Sequence, residues 1–228
     1  MSLLCITIFQ EHYKMNKFLN RLHNGKTKAG ILYMQYAYDL RKELFRKSIH
    51  LCTVFVPFFL DKFYYLTLIL LSFVLIVYII SEFLRMSGKQ IPLLSSITMA
   101  AARKRDENRF VLGPVSLCGG VLLTALLFPP VPAKIGIYAL ALGDGLASLV
   151  GKIWGKKKIP FTGGKSYAGS LACFAAVFVS AWFCSSSVTT ALVLAFAGMS
   201  IELLPLKDFD NILIPVLLAV LCRFVFNL

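Results

Sequence analysis

The sequence predicts an all-α, polytopic transmembrane bundle of about seven spans with its N-terminus in the cytosol. Of 228 residues, 58% are hydrophobic and 15% charged, where a soluble domain carries roughly one-quarter charged residues. Apolar runs approaching the roughly 20 residues that cross a hydrocarbon core as helix recur along the chain. Lys and Arg fall in alternate gaps between those runs, the asymmetry expected of cytosolic loops.

A basic leader, residues 1–43, precedes a membrane domain, residues 44–228. Residues 1–9 are apolar but lack a basic n-region, so no cleaved signal peptide is expected, and Met15 is a second candidate start. Residues 10–43 suit a segment lying against anionic headgroups or, equally, a solvated tail. Spans are expected at 44–60, 63–84, 111–129, 131–151, 167–184, 188–206 and 210–227. The first is apolar only from Ile49 to Leu60 and crosses only if Leu44 to His50 form its interfacial turns. Of the 24 Lys and Arg, all but Lys62, Lys134 and Arg223 fall on the N-terminal side of the membrane.

The net charge of +13 does not imply nucleic acid, because the basic residues are separated by apolar spans rather than gathered on one soluble surface. Membrane lipids are the expected surroundings. The six cysteines show no CxxC spacing and lie mostly in apolar stretches, which argues against a zinc site or a disulfide framework.

Carboxylates inside spans are costly and therefore candidates for function. Glu82 closes span two, Asp144 lies in span four, Glu202 in span six, and Asp210 opens span seven beside Asn211. With alternating spans, all fall in the cytosolic half, as do Arg46, Lys47 and His50. A transport pathway would string polar groups through the full depth of the bundle. A non-enzymatic transporter is accordingly the weaker reading, and a site open to the cytosol and the inner leaflet the stronger.

Span four carries Ala139, Gly143, Ala147, Gly151 and Gly155 at four-residue spacing, a stripe that admits a close helix neighbour or a second copy in a homodimer. Asp144, Ser148 and Lys152 occupy the adjoining stripe at i, i+4 and i+8. An acid, a hydroxyl and an amine on one face suit a metal-bound phosphate; a structural ion pair on Asp144 is the competing reading. The following loop ends Gly164-Lys165-Ser166 but is no P-loop: Ile159 stands where the first glycine belongs, and a membrane helix rather than a strand precedes it. Ser166 is placed to cap span five, so that Lys165 and free N–H groups would face an anion. In span seven Pro215 cannot donate to the carbonyl of Asn211, leaving an oxygen that could hold a cation or a hydroxyl.

Four blocks together resemble the membrane lipid-alcohol kinases, the family of dolichol kinase, phytol kinase and the CTP-dependent diacylglycerol kinase. They are Arg46-Lys47-Ser48-Ile49-His50; Gly143-Asp144-Gly145-Leu146-Ala147-Ser148 with Gly151 and Gly155; Lys165-Ser166 with Gly169-Ser170; and Glu202 followed by Asp210-Asn211 and Pro215. The resemblance covers about residues 41 to 226. It departs at Ala168, where the family usually has Glu. The middle block is also similar to phosphatidate cytidylyltransferase, which keeps CDP-diacylglycerol synthesis as the alternative.

The resemblance implies CTP as co-substrate and a polyprenol, phytol-like alcohol or diacylglycerol as acceptor. Phosphoryl transfer depends on positioning and charge neutralisation, which sets the expected roles. Asp144 binds Mg²⁺, with Glu202 or Asp210 as further ligands. Arg46, Lys47, Ser148, Lys152, Lys165, Ser166 and Gly169 surround the phosphates. His50 accepts the hydroxyl proton, a helix-end hydrogen bond being its other reading. Glu82 and Asn211 complete the polar set. The small chain favours a bacterial inner membrane over an organelle's, with the active site facing the cytosol.

Overall fold

The computed structural model describes residues 28–89, 91–102, 106 and 109–227. The basic leader before residue 28, with Cys5 and Met15, lies outside the described residues. The chain runs as α1 (Lys28–Cys52), a 3-10 turn (Thr53–Phe55), α2 (Val56–Lys62), α3 (Tyr64–Met86), α4 (Pro92–Ala101), α5 (Gly113–Leu127) and α6 (Pro130–Tyr138). A π-helical segment (Ala139–Asp144), α7 (Gly145–Ile153), α8 (Tyr167–Ser185), α9 (Val188–Leu203) and α10 (Asp210–Val225) follow. Among the described residues the remaining regular feature is an isolated antiparallel bridge between Lys158 and Ser166.

The protein is thus an all-α membrane bundle. Among the described residues three helices are long and apolar enough to cross a bilayer: α3, the α6–π–α7 rod from Pro130 to Ile153, and α8. The apolar helices α5 and α9 are shorter. Each expected span from the second onward coincides with a helix, but the first does not form one continuous rod. Pro57 has no N–H to continue the ladder, and the path from α1 passes through the 3-10 turn before α2 resumes. The polar stretch after span two holds α4, opened by Pro92 at its first position.

The Pro130–Ile153 rod is the axis of the bundle and α3 its periphery, with 61% and 11% of their apolar stretches buried. Ile135, Ala139, Val177, Leu194 and Leu218 meet in the main core, and Val121, Ile137 and Leu140 in a second. Small residues set the spacing of these contacts. A Cβ on Gly136 would lie 2.3 Å from the Pro215 carbonyl, and one on Gly120 2.2 Å from that of Asn211, so α10 approaches α6 and α5 backbone to backbone. The oxygen freed by Pro215, the Asn211 carbonyl, faces Gly120. The span-four stripe is used in the same way: a Cβ on Gly143 would meet Val177 at 2.9 Å, and one on Gly169 the Ala147 carbonyl at 2.6 Å. The neighbour on that stripe is α8, within the bundle.

Candidate active site

Short connections turn α8, α9 and α10 back on one another, so the start of α8, the end of α9 and the start of α10 share one end of the bundle. The second half of α1 and all of α7 reach the same end. There they enclose a cavity of about 250 Å³ whose walls include Arg46, Lys47, Asp144, Ser148, Lys152 and Lys165. Ser166, Gly169, Glu202 and Asp210 complete the part of the wall expected from sequence.

Asp144 ends the π-helical segment and is buried. Such segments often sit at functional sites because the widened turn re-aims the side chains that follow. The α-helix resumes at Gly145, so Asp144, Ser148 and Lys152 do share a face. Lys47 donates a buried hydrogen bond to Asp144 Oδ2. His50 Nδ1 lies 3.2 Å from the same oxygen, near enough for an ion pair but out of line for a hydrogen bond. The ion pair weighed against the metal reading of Asp144 is therefore present, with Lys47 as its partner.

Glu43 is the second organising acid. Its Oε1 accepts from Arg46 Nη2 at 2.5 Å and from Ser148 Oγ at 2.7 Å, and its Oε2 lies 3.8 Å from Lys152 Nζ. One carboxylate thus joins two basic side chains and a hydroxyl from α1 and α7. Burial works to raise the Glu43 carboxyl, but Arg46, the Ser148 hydrogen bond, Lys47 and Lys152 outweigh it and hold the group below the usual carboxylate range.

On the opposite wall Lys165 Nζ lies 3.1 Å from Glu202 Oε1, while the buried Glu202 Oε2 has no hydrogen-bond partner. Ser166 caps α8 through its Oγ, which accepts from Gly169 N at 3.2 Å. Gly151 and Gly155 make room for that hydroxyl, since a Cβ on either would come within 3 Å of it. Tyr167 N and Ser170 N donate to the carbonyls of Lys157 and Ser166. Most of the N–H groups expected to face an anion are thereby engaged, and Lys165 is left as the main anion contact at this helix start. Asp210 sits in the first turn of α10 and accepts from Asn211 N at 3.0 Å.

Two expected residues serve elsewhere. Glu82 is 1% exposed and takes both Arg85 Nε and Nη2, at 2.9 and 2.7 Å, and Val111 N at 2.8 Å, tying the end of α3 to the segment before α5. Asn211 Nδ2 donates to Ser116 Oγ at 2.9 Å and holds α10 against α5. Neither lines the large cavity. His50 does not line it either, but borders a smaller neighbour.

Sequence comparison adds an independent line. The chain is 33% identical over 131 residues to probable phytol kinase 3, chloroplastic, of Glycine max, a match covering 50% of this chain and 41% of that protein. It is 33% identical over 135 residues to the phytol kinase of Synechocystis sp., covering 55% and 57%. These relatives are phytol kinases, so the chain is similar to the membrane lipid-alcohol kinases over about half its length. Phytol kinase 1, chloroplastic, of Arabidopsis thaliana is a further relative, 31% identical over 91 residues, or 39% of this chain and 30% of that one. The chain spans about half the length of the curated relatives it matches. No protein-family profile matches it, and neither does any solved structure.

Glu43 is the cavity residue that sequence reasoning missed, assigned instead to the leader. Its signal was present: Glu43, Arg46, Lys47 and His50 fall at i, i+3, i+4 and i+7, one face of a helix. Ala168, the departure from the family pattern, does not line the cavity.

Proposed function

We propose that this protein is a membrane lipid-alcohol kinase. It moves the γ-phosphoryl group of CTP, or of another nucleoside triphosphate, to the hydroxyl of a polyprenol, a phytol-like alcohol or diacylglycerol. The observation that carries this reading is the single cavity in which Arg46, Lys47 and Lys165 meet the carboxylates of Asp144, Glu202 and Asp210. Cations there suit phosphate oxygens, Arg being able to grip two at once. Kinship with the phytol kinases supports the same chemistry.

The donor set agrees with magnesium, which takes oxygen ligands and keeps several waters. Glu202 Oε2, buried without a partner, is an oxygen of that kind. Among the described residues no three His, Cys, Asp or Glu groups lie close enough to hold a metal unaided, so triphosphate oxygens would complete the shell. Asp144, with Glu202 or Asp210 beside it, would hold Mg²⁺, which when bound offsets the charge of the triphosphate.

In the transfer, the alcohol oxygen bonds to the γ-phosphorus as the bond from that phosphorus to the β–γ bridging oxygen breaks. The nucleoside diphosphate leaves, and the hydroxyl proton passes to His50. Lys47 and Lys165 hold phosphate oxygens from opposite walls, and Glu43 fixes Arg46 and Lys152 beside them. The cavity opens to the cytosol, where the nucleotide is supplied.

The test is nucleotide dependence in purified protein. Lys165→Ala is expected to raise the KM for nucleotide about tenfold, the scale of one lost charge-assisted contact. Chelation of divalent cations should stop transfer and added Mg²⁺ restore it. An unchanged KM together with metal-independent transfer would defeat this assignment.

A further inference from the structure

A second cavity, of about 40 Å³, adjoins the large one, and Arg46, Lys47 and Asp210 line both. Beyond those shared residues its character changes. Ile49 of α1, Val111 just before α5, and Pro114 and Leu117 in its first turns give it an apolar wall, while Asp106, Asp208 and Asn211 line its polar side. His50, 4% exposed, borders this cavity and not the large one, and its Nδ1 makes no hydrogen bond. The triphosphate of a nucleotide does not fit here. By the volume a single water occupies on this measure, roughly 10–15 Å³, the space takes an oxygen and one or two carbons.

We propose that this cavity receives the hydroxyl end of the acceptor lipid. The inference rests on the kinase reading above and adds to it where the acceptor binds. The hydroxyl lies beside His50, its first carbon contacts Ile49 and Leu117, and Arg46, Lys47 and Asp210, which line both cavities, mark the junction at which the hydroxyl oxygen meets the phosphoryl donor. Leu117 and Pro114 then limit the width of the head: a CH₂OH on an unbranched carbon is admitted, whereas the ester-bearing carbon next to the hydroxyl of diacylglycerol is held out, which narrows the acceptors proposed above to polyprenols and phytol-like alcohols. Selection therefore follows from the depth of an apolar slot, and the remainder of the lipid needs only the bilayer.

The test has a binding arm and a turnover arm, both on the full chain in detergent. A long-chain primary alcohol with a diazirine beside its hydroxyl is photolysed with wild-type protein and the labelled peptides are mapped. Label on residues 49–50 or 111–117, lost in Leu117→Phe, is the expected result; label confined to the outer face of α3 would overturn the proposal. In the turnover arm, Leu117→Phe and Ile49→Trp should each raise the KM for phytol about tenfold and leave the KM for CTP within about twofold. Unchanged alcohol KM in both variants would also overturn it. Absence of any transfer by wild-type protein would instead defeat the kinase reading, and the photolabelling map would still decide the cavity's role.

Discussion

Replacing Glu43 with alanine separates positioning of the site from simple charge attraction. The side chain accepts from Arg46 at 2.5 Å and from Ser148 at 2.7 Å, with Lys152 at 3.8 Å. A hydrogen bond between a charged group and its partner contributes about 1.5–3 kcal/mol and a neutral one about 1 kcal/mol. The Lys152 contact is long and its side chain 37% exposed, so it adds at most a few tenths of a kcal/mol. The sum at risk is about 2–4 kcal/mol, which corresponds to roughly 30- to 1,000-fold if it fell wholly on the transition state. Part falls on folding stability, so a fall in kcat of at least about tenfold is the expected minimum. The nucleotide KM should not rise, because Arg46 and Lys152 remain and lose only an acid that opposed the phosphates. Glu43→Gln, which keeps the volume and an acceptor oxygen, should fall between alanine and wild type. Steady-state transfer assays with thermal melts of each variant read all of this. A kcat within about twofold of wild type in a folded Glu43→Ala protein would refute the reasoning, and so would a raised KM with unchanged kcat.

Asp144→Asn should abolish transfer and, by leaving Lys47 charged and unpaired in a buried position, cost about 3–5 kcal/mol of stability. Adding Lys47→Met should recover melting temperature but no activity, and a double variant that is active would remove Asp144 from the chemistry. Gly169→Ala drives a methyl to 2.6 Å from the Ala147 carbonyl; overpacking of that kind costs about 1–3 kcal/mol and should appear as a lower melting temperature with reduced turnover. Glu82→Gln should lower thermal stability while the KM values for both substrates stay within about twofold of wild type, since Glu82 ties α3 to the segment before α5 and lies outside the cavity.

The helices and the site differ in how far the sequence reveals them. Apolar runs of bilayer length leave little choice of structure, and the expected spans at 63–84 and 167–184 became Tyr64–Met86 and Tyr167–Ser185. The segment expected as a span at 44–60 is helical but passes through a 3-10 turn at Thr53–Phe55, which hydropathy does not foresee because it weighs Pro57 as one apolar residue and ignores its missing N–H. Short α4 was hidden in a charged stretch, though Ile91-Pro92-Leu93 marks a helix start. The acids and bases that line the cavity were legible because a charged group within a span is rare enough to stand out. What they pair with was not. Lys47 and Asp144 lie 97 residues apart, and Glu43 and Ser148 105 apart, so only the fold brings them together. The π-helical segment before Asp144 leaves no mark in residue type, because the widened turn answers to packing against α8.

The central claim is that the cavity holds a nucleoside triphosphate whose γ-phosphoryl group goes to a lipid alcohol. Its most direct test supplies purified protein with CTP labelled in parallel at the γ and the α phosphate, together with polyprenols, phytol, diacylglycerol and phosphatidate. The account predicts γ-label in the phosphate of an alcohol and no α-label in lipid. Label from the α-phosphate in a lipid made from phosphatidate would contradict it in favour of cytidylyl transfer, and no transfer from CTP or ATP would contradict it altogether.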